Sequence, residues 1–180
     1  MRKKIVRQLI EVGRFLFFSG VVDYFSGNLS VRWKDTIFIT RSGSPLPLLT
    51  PQDILEVHPK KPLVGKPSSE FIVHREVYER TTLKAVAHAH PPSVVKLAFN
   101  LKGDSFIPRD NEGRSLLREI PILRLKKPSA SRELAEAVAS TLKWFPCAII
   151  YSHGVFCGGE TLKEAAGCIT ALENSAKLLL

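Results

Sequence analysis

Apolar residues divide the first forty positions into one helix and two strands. They recur at helical intervals over residues 3 to 19, and this pattern ends near Gly20. A turn is predicted at 26 to 28, where serine, glycine and asparagine follow one another. Alternation of apolar and polar residues then predicts strands over 29 to 33 and 36 to 40. The chain therefore opens with an amphipathic helix that leads into a pair of strands.

Helices and strands alternate along the rest of the chain. A second helix is expected to run from an N-cap at Ser68 or Ser69 to about Arg80, with Glu70 in its first turn. The other elements are a helix start at Thr50-Pro51 with Asp53 in a capping-box position, a strand over 83 to 90, a helix opened by Pro91-Pro92-Ser93, a strand over 119 to 123, a helix over 129 to 143, a hairpin over 147 to 159 and a helix from Thr161. This order contains no internal repeat and predicts a mixed fold of helices and strands.

Length and composition are those of one globular domain over residues 1–180. Hydrophobic residues make up 44% of the chain and charged residues 24%, close to the averages of folded soluble proteins. Charged residues interrupt the apolar positions at the N-terminus, so this segment does not resemble a signal peptide. Uncharged runs elsewhere are far shorter than the roughly 20 residues that span a bilayer. A cytoplasmic protein without membrane contact is expected.

The formal net charge of +9 favours an anionic ligand, but the basic residues are scattered. They form short clusters at 2–4, 60–61 and 126–127, without the interleaved aromatic residues of a nucleic-acid surface. A phosphorylated small molecule needs only a local excess of positive charge and suitable backbone donors. Such a molecule is therefore an expected partner, whereas nucleic acid is not.

Three cysteines lie in apolar surroundings near the C-terminus: Cys147, Cys157 and Cys168. They form neither an even set nor a C-x-x-C pair. Unpaired cysteine commonly behaves as a small buried hydrophobe. We therefore expect three buried structural thiols.

Three histidines have the spacing of a metal site. His88 and His90 are two residues apart in a predicted strand, so their side chains point to the same face. His153 lies in the predicted hairpin, and the following Gly154 leaves room for close approach. Three imidazoles with an open fourth position are typical of catalytic zinc. The H-x-H pair by itself more often indicates hydrogen-bonded or surface histidines, so it predicts a metal site only together with other motifs.

Five ordered motifs give the chain a family resemblance. They are Gly27-Asn28-Leu29-Ser30, Thr40-Arg41-Ser42-Gly43, Pro67-Ser68-Ser69-Glu70, His88-Ala89-His90 and Ser152-His153-Gly154. In order and spacing they resemble the class II aldolase/adducin family, which includes L-fuculose-1-phosphate aldolases and ribulose-phosphate 4-epimerases. The resemblance covers nearly the whole chain. It implies an α/β (α+β type) fold of three layers, in which helices flank a central, mainly antiparallel sheet.

The resemblance also implies a set of site residues and partners. One divalent metal ion per subunit, most often Zn²⁺, would be bound by His88, His90 and His153. Glu70 would be the catalytic acid/base, although a glutamate at a helix start more often interacts with the helix dipole. The phosphate-binding residues would be Gly27, Asn28, Ser42, Gly43, Ser68 and Ser69. A homo-oligomer, expected to be a tetramer, would complete the assembly.

The implied activity is that of a metal-dependent aldolase. It would cleave a ketose 1-phosphate, such as L-fuculose 1-phosphate, into dihydroxyacetone phosphate and a short aldehyde through a metal-stabilised enediolate. A 4-epimerase, a dehydratase and a non-catalytic module like the adducin head are the alternatives. The segment 106–113 lacks the tyrosine by which related aldolases protonate the aldehyde oxygen. Water, Arg109 or Arg114 could replace it. His74 is a rival metal ligand or, in the preferred interpretation, a packing or supporting residue.

Overall fold

The computed structural model describes residues 1–58 and 61–180. Lys60 of the predicted basic cluster lies outside this described part. The strands are β1 (Asn28–Trp33), β2 (Thr36–Thr40), β3 (Ile54–Val57), β4 (Ala85–Ala89), β5 (Ser105–Phe106), β6 (Ile120–Leu123), β7 (Cys147–Ile150) and β8 (Gly154–Gly159). The helices are α1 (Arg2–Phe18), α2 (Phe71–Arg80), α3 (Pro92–Asn100), α4 (Asn111–Leu116), α5 (Arg132–Thr141) and α6 (Leu162–Lys177).

All eight strands join one sheet in the order β3-β2-β1-β4-β8-β7-β6-β5. Neighbouring strands pair antiparallel, except that β6 and β7 are parallel. The central strands β4 and β8 lie side by side and are buried along their whole length. Both faces of such a strand are covered, which accounts for their apolar and glycine-rich sequences.

Helices cover both faces of the sheet and form two hydrophobic cores. One core joins α1, α3 and α6 to one face, where Leu9 and Leu16 of α1 are fully buried. The second core joins α2 and α5 to the opposite face through residues such as Val73 and Leu134. The predicted three-layer α/β fold with a mainly antiparallel sheet is confirmed. Among the described residues, none of the helices combines the length and apolarity of a membrane span.

Several element boundaries differ from the predicted ones. The Thr50-Pro51 start yields one 3-10 turn, Pro51–Asp53, because the chain then enters β3 and pairs with β2. Its capping box is formed, since the Asp53 carboxylate accepts from the Thr50 backbone N–H at 2.9 Å. Sequence periodicity missed the short elements β3, β5 and α4. In α2, Glu70 occupies the N-cap position rather than the first turn, and α5 begins only after its N-cap Ser131.

The expectation of three free thiols was wrong for two of them. Cys147 and Cys157 stand directly opposite each other in the antiparallel β7–β8 pair and form a disulfide, with 4.2 Å between their Cα atoms. Strand register, which has no local sequence signal, brings them together. Cys168 on α6 remains a thiol, and partial burial raises its pKa.

A buried carboxylate joins α6 to the start of α3. Glu173 is 2% exposed, and its Oε2 accepts hydrogen bonds from the backbone N–H groups of Ser93 at 3.0 Å and Val94 at 3.2 Å. These amides belong to the first turn of α3, where helical N–H groups have no partner in their own helix. The Lys177 ammonium lies 3.4 Å from the other carboxylate oxygen. Glu173, a residue of α6, therefore caps the N-terminus of α3.

Replacing Glu173 with alanine is expected to lower the free energy of unfolding by about 2–3 kcal/mol, because two buried N–H groups lose a charged acceptor. Denaturant unfolding followed by circular dichroism measures this loss. Glu11→Ala is the matched control, since Glu11 is exposed and makes only an i,i+4 ion pair with Arg7. Equal stability of the two variants would contradict the capping role.

Candidate active site

The sheet register brings the three predicted histidines together. His88 lies near the end of β4, His90 follows that strand, and His153 lies in the tight turn between β7 and β8. Because β4 pairs with β8, the turn that carries His153 reaches the end of β4. Gly154 permits this approach, since a Cβ there would collide with the Ala89 carbonyl oxygen.

The imidazole rings form a nearly equilateral group. Their centroids are 4.8 Å apart for His88 with His90, 4.8 Å for His88 with His153 and 4.9 Å for His90 with His153. One ligand nitrogen from each ring lies within 4.8 Å of the other two. Within residues 1–58 and 61–180, this is the one group of three or more potential metal ligands.

Backbone carbonyls orient two of the rings. The Nδ1–H of His88 donates to the Val155 carbonyl at 2.9 Å, and the Nδ1–H of His153 donates to the Pro128 carbonyl at 2.5 Å. Each Nε2 is then left with a bare lone pair. The Nε2 atoms of His88 and His90 are 3.0 Å apart, near the roughly 3.3 Å expected for two nitrogens around tetrahedral zinc. The donor set therefore fits a divalent metal ion.

Burial keeps the imidazoles of His88 and His90 in the form that binds metal. Desolvation is the largest cause that lowers the pKa of His90 to about 4, and it lowers the pKa of His88 well below its usual range. The neighbouring imidazoles act in the same direction, because a second positive charge nearby would be unfavourable. Phe156 stacks on the His88 ring, with centroids 4.1 Å apart. Both rings are therefore neutral at neutral pH, as ligation requires.

Glu70 points towards the histidines rather than along its helix. Its Oε1 lies 4.0 Å from the His153 Nε2, and the residue is 3% exposed. The Ser129 hydroxyl donates to Oε1 at 2.9 Å, and the Ala130 N–H donates to both carboxylate oxygens at 3.1 Å. The carboxylate makes no hydrogen bond that caps α2. This geometry argues against a helix-capping role and holds the carboxylate at the edge of the imidazole group.

All six predicted phosphate-binding residues line one cavity of about 190 Å³. The cavity also contains Glu70 and the three histidines. An antiparallel bridge between Arg41 and Pro67 joins two of the contributing loops. Gly27 has φ +85°, and a Cβ there would lie 2.9 Å from the His88 carbonyl oxygen, so glycine is required at this turn. The structure therefore places the predicted phosphate residues beside the histidines.

Sequence reasoning did not assign five further residues that line this cavity. They are Phe25, Ser26, Arg41, Ser44 and Ser129. Arg41 carries the one lysine or arginine side chain among the described residues that line the cavity. Arg41 belongs to the motif Thr40-Arg41-Ser42-Gly43, and this motif was the sequence signal that could have identified it as a cavity residue. Ser129 gave no signal, because its role depends on a loop that packs against α2.

Other candidate residues lie away from this cavity. The His74 Nε2 contacts Asn28 Oδ1 at 2.6 Å, and His74 does not join the group of three histidines. His58, the remaining one of the five histidines in the chain, contacts the Thr36 hydroxyl and does not line the cavity. Arg109 and Arg114 are exposed, and neither lines the cavity within one chain.

Comparison with known proteins identifies the family. The sequence profile of the Class II Aldolase and Adducin N-terminal domain matches residues 7–180. The chain belongs to this family. The family assignment based on the five motifs is thereby confirmed.

The family contains relatives with different stated activities. The crystal structure of an L-fuculose-1-phosphate aldolase from Thermus thermophilus superposes with a TM-score of 0.93 and 40% identity, covering 98% of this chain and 93% of that one. An L-fuculose phosphate aldolase from Methanocaldococcus jannaschii is 31% identical over 97% of this chain and 94% of its own. A methylthioribulose-1-phosphate dehydratase from Bradyrhizobium sp. is 30% identical over 92% and 85% of the two chains. The chain is therefore similar to proteins named for carbon–carbon cleavage and to one named for dehydration.

Proposed function

We propose that this class II aldolase-family chain is a metal-dependent aldehyde-lyase that acts on a ketose 1-phosphate. L-fuculose 1-phosphate is the proposed type of substrate, and dihydroxyacetone phosphate and a short aldehyde are the products. The observation that carries the proposal is the convergence of the histidine group, Glu70 and the serine- and glycine-lined loops in one cavity. The names of the Thermus and Methanocaldococcus relatives support the same choice.

The metal would be Zn²⁺, one ion per subunit, held by His88, His90 and His153. Three imidazole ligands suit zinc and leave a coordination position open to substrate. When bound, the ion supplies Lewis acidity that neutralises negative charge developing on the substrate oxygens. The chain's own contribution is to hold the His88 and His153 imidazoles by Nδ1–H hydrogen bonds, which leave their Nε2 atoms free for the metal.

Glu70 would move the proton at the reacting carbon. Its carboxylate is buried beside the histidine group, and Ser129 and Ala130 hold it in place from outside the metal site. A base must be within hydrogen-bond reach of the proton that it takes. The position of Glu70 in the cavity wall supports this role for a substrate that enters the cavity.

The substrate phosphate would bind to Gly27, Asn28, Ser42, Gly43, Ser68 and Ser69. Their short hydroxyls and the side-chain amide of Asn28 suit phosphate oxygens. The backbone N–H groups of Ser42 and Ser68 already donate to the carbonyls of Lys66 and Thr40. Anchoring the phosphate holds the reacting carbons in place, so the binding energy contributes to the rate. Arg41 would add the positive charge that these neutral groups lack.

Replacing Arg41 with glutamine is therefore expected to raise KM for a phosphorylated ketose about tenfold, because a charge-assisted contact to phosphate is lost. The kcat should change less than KM, since the residue does not contact the histidine group. Steady-state kinetics measure both constants. Arg14→Gln, on the exposed face of α1, removes the same charge far from the cavity and should leave KM unchanged. Equal KM values for the two variants would contradict the assignment.

Metal content and product analysis test the function as a whole. Protein purified without chelator or affinity tag should contain about one zinc per chain, and a panel of aldehydes offered with dihydroxyacetone phosphate should yield an aldol product. Retro-aldol cleavage of L-fuculose 1-phosphate should yield dihydroxyacetone phosphate. Metal-free protein that binds no added zinc would instead support the non-catalytic, adducin-head-like alternative.

Dehydration is the second candidate function, because a methylthioribulose-1-phosphate dehydratase is 30% identical to this chain over 92% of its length. A 4-epimerase on the same scaffold is also compatible with the cavity. Mass spectrometry and NMR of the products distinguish the three reactions. Aldol cleavage gives two fragments, dehydration removes one water, and epimerisation inverts one carbon without a change in mass.

We further propose that residues 1–180 form one domain that assembles as a homotetramer in the cytoplasm, without nucleic acid or membrane partners. The resemblance to fuculose-phosphate aldolases is the basis for the assembly. Light scattering coupled to size-exclusion chromatography measures the subunit number directly. A monomer at micromolar concentration would contradict the tetramer.

A further inference from the structure

A chain of buried hydrogen bonds ends at the phosphate-lining residue Asn28. The Asn28 Oδ1 lies 2.6 Å from the His74 Nε2, and the His74 Nδ1 lies 2.6 Å from the Ser30 hydroxyl. The Ser30 hydroxyl lies 2.7 Å from the Tyr78 hydroxyl. His74 and Ser30 are fully buried, and Tyr78 and Asn28 are 4% and 6% exposed. The chain of contacts crosses from α2 to β1 and does not include the three clustered histidines.

Hydrogen-bonding chemistry gives this chain one direction. Burial lowers the pKa of His74 to about 3, so its ring is neutral and carries one N–H. The structure places the amide oxygen of Asn28 against Nε2, and because this oxygen can only accept, that arrangement puts the proton on Nε2. The bare Nδ1 then accepts from the Ser30 hydroxyl, which in turn accepts from Tyr78. Burial raises the pKa of Tyr78, which keeps its hydroxyl protonated as the first donor.

We propose that His74, Ser30 and Tyr78 are positioning residues that fix the side-chain amide of Asn28, so that its NH₂ group faces the cavity. The inference rests on the proposed phosphate pocket. With Oδ1 held by His74, the two N–H donors of Asn28 remain for a bound anion. A reversed amide would present its oxygen to phosphate and would repel it. The hydrogen bonds through His74, Ser30 and Tyr78 therefore select the orientation of the Asn28 amide that binds an anionic ligand.

The hydrogen bonds that join Tyr78, Ser30, His74 and Asn28 are connected to the proposed metal site as well as to the proposed phosphate pocket. Asn28 stands directly opposite the metal-site residue His88 in the β1–β4 register, so the two side chains share a face of the sheet. His74 lies one turn after Glu70 on α2, and its backbone N–H donates to the Glu70 carbonyl. The helix that presents Glu70 therefore also carries the group that orients Asn28.

Ser30→Ala is the most selective test, because it removes only the hydroxyl that donates to His74. Without that donor, the His74 proton can move to Nδ1 and the Asn28 amide can reverse. We expect the affinity of the zinc-loaded protein for inorganic phosphate to fall about tenfold, the loss of one charge-assisted hydrogen bond. Zinc content should not change, and KM for a phosphorylated ketose should rise more than kcat falls. Ser175→Ala, a buried serine on α6 outside the cavity, is the control and should match the wild type.

Isothermal titration with phosphate and ¹H–¹⁵N NMR of the histidine rings provide the two measurements. The wild-type spectrum should assign the Nε2–H tautomer to His74, and this result does not depend on any variant folding. An Nδ1–H tautomer would overturn the inference, as would wild-type phosphate affinity in Ser30→Ala. Failure of the wild-type protein to bind phosphate would overturn the proposed pocket and this inference with it. Phosphate binding that is insensitive to Ser30→Ala would overturn the inference alone.

Discussion

Replacing His153 with alanine is expected to remove the bound metal and to lower kcat/KM for retro-aldol cleavage by about 10³-fold or more. The variant loses one of the three converging nitrogens, and His88 and His90 alone are an incomplete set of metal ligands. Lewis-acid stabilisation of developing charge contributes several kcal/mol to such reactions, which sets the size of the loss. His153 lies in a turn and is only partly buried, so the sheet should fold without its side chain.

Elemental analysis of the purified variant gives the metal content, and a coupled assay for dihydroxyacetone phosphate gives the rate. His58→Ala provides a matched control, because His58 contacts Thr36 and lies outside the cavity. The control should retain one zinc per chain and wild-type activity. Wild-type zinc content in His153→Ala would show that the three histidines do not form the metal site.

Glu70→Gln is expected to lower kcat by about 10²–10⁴-fold, the usual contribution of a positioned acid/base. Glutamine preserves the shape of the side chain, and its amide oxygen can still accept from Ser129 and Ala130. It cannot take a proton at neutral pH. Zinc content and KM should therefore change little, which separates this variant from His153→Ala.

Steady-state kinetics and elemental analysis of Glu70→Gln should be run beside Glu160→Gln. Glu160 is exposed and pairs with Lys84 on the surface, so its replacement makes the same chemical change without altering the cavity. A Glu70→Gln enzyme with wild-type kcat would exclude the glutamate as the proton carrier. Loss of zinc in the same variant would instead indicate that Glu70 contributes to metal binding.

Much of the fold could be predicted because its signals are local. Helical spacing predicts α1 closely, and alternation predicts β1 and β2. The short elements β3 and β5 gave no such signal. β3 contains only 4 residues and β5 only 2, which is too few for a hydrophobic period to be recognised. Their strand character depends on pairing with β2 and β6.

By itself the sequence determined which residues have the chemistry for this site. The H-x-H spacing in a strand places two imidazoles on one face, and the ordered motifs identify the family and the groups that line the cavity. Only the tertiary structure decided how these groups are held. It directs Glu70 to Ser129 and Ala130 rather than to its helix, and it pairs Cys147 with Cys157.

The same division applies to His74. The sequence allowed two roles for this residue, a rival metal ligand or, in the preferred interpretation, a packing or supporting residue. Its contacts with Asn28 and Ser30 join residues 46 and 44 positions apart. Such contacts arise from strand register and helix packing, and neither leaves a pattern in the nearby residues. Local periodicity therefore determined the longer elements and the sequence motifs determined the reactive groups, whereas long-range packing alone decided their orientation and their hydrogen-bond partners.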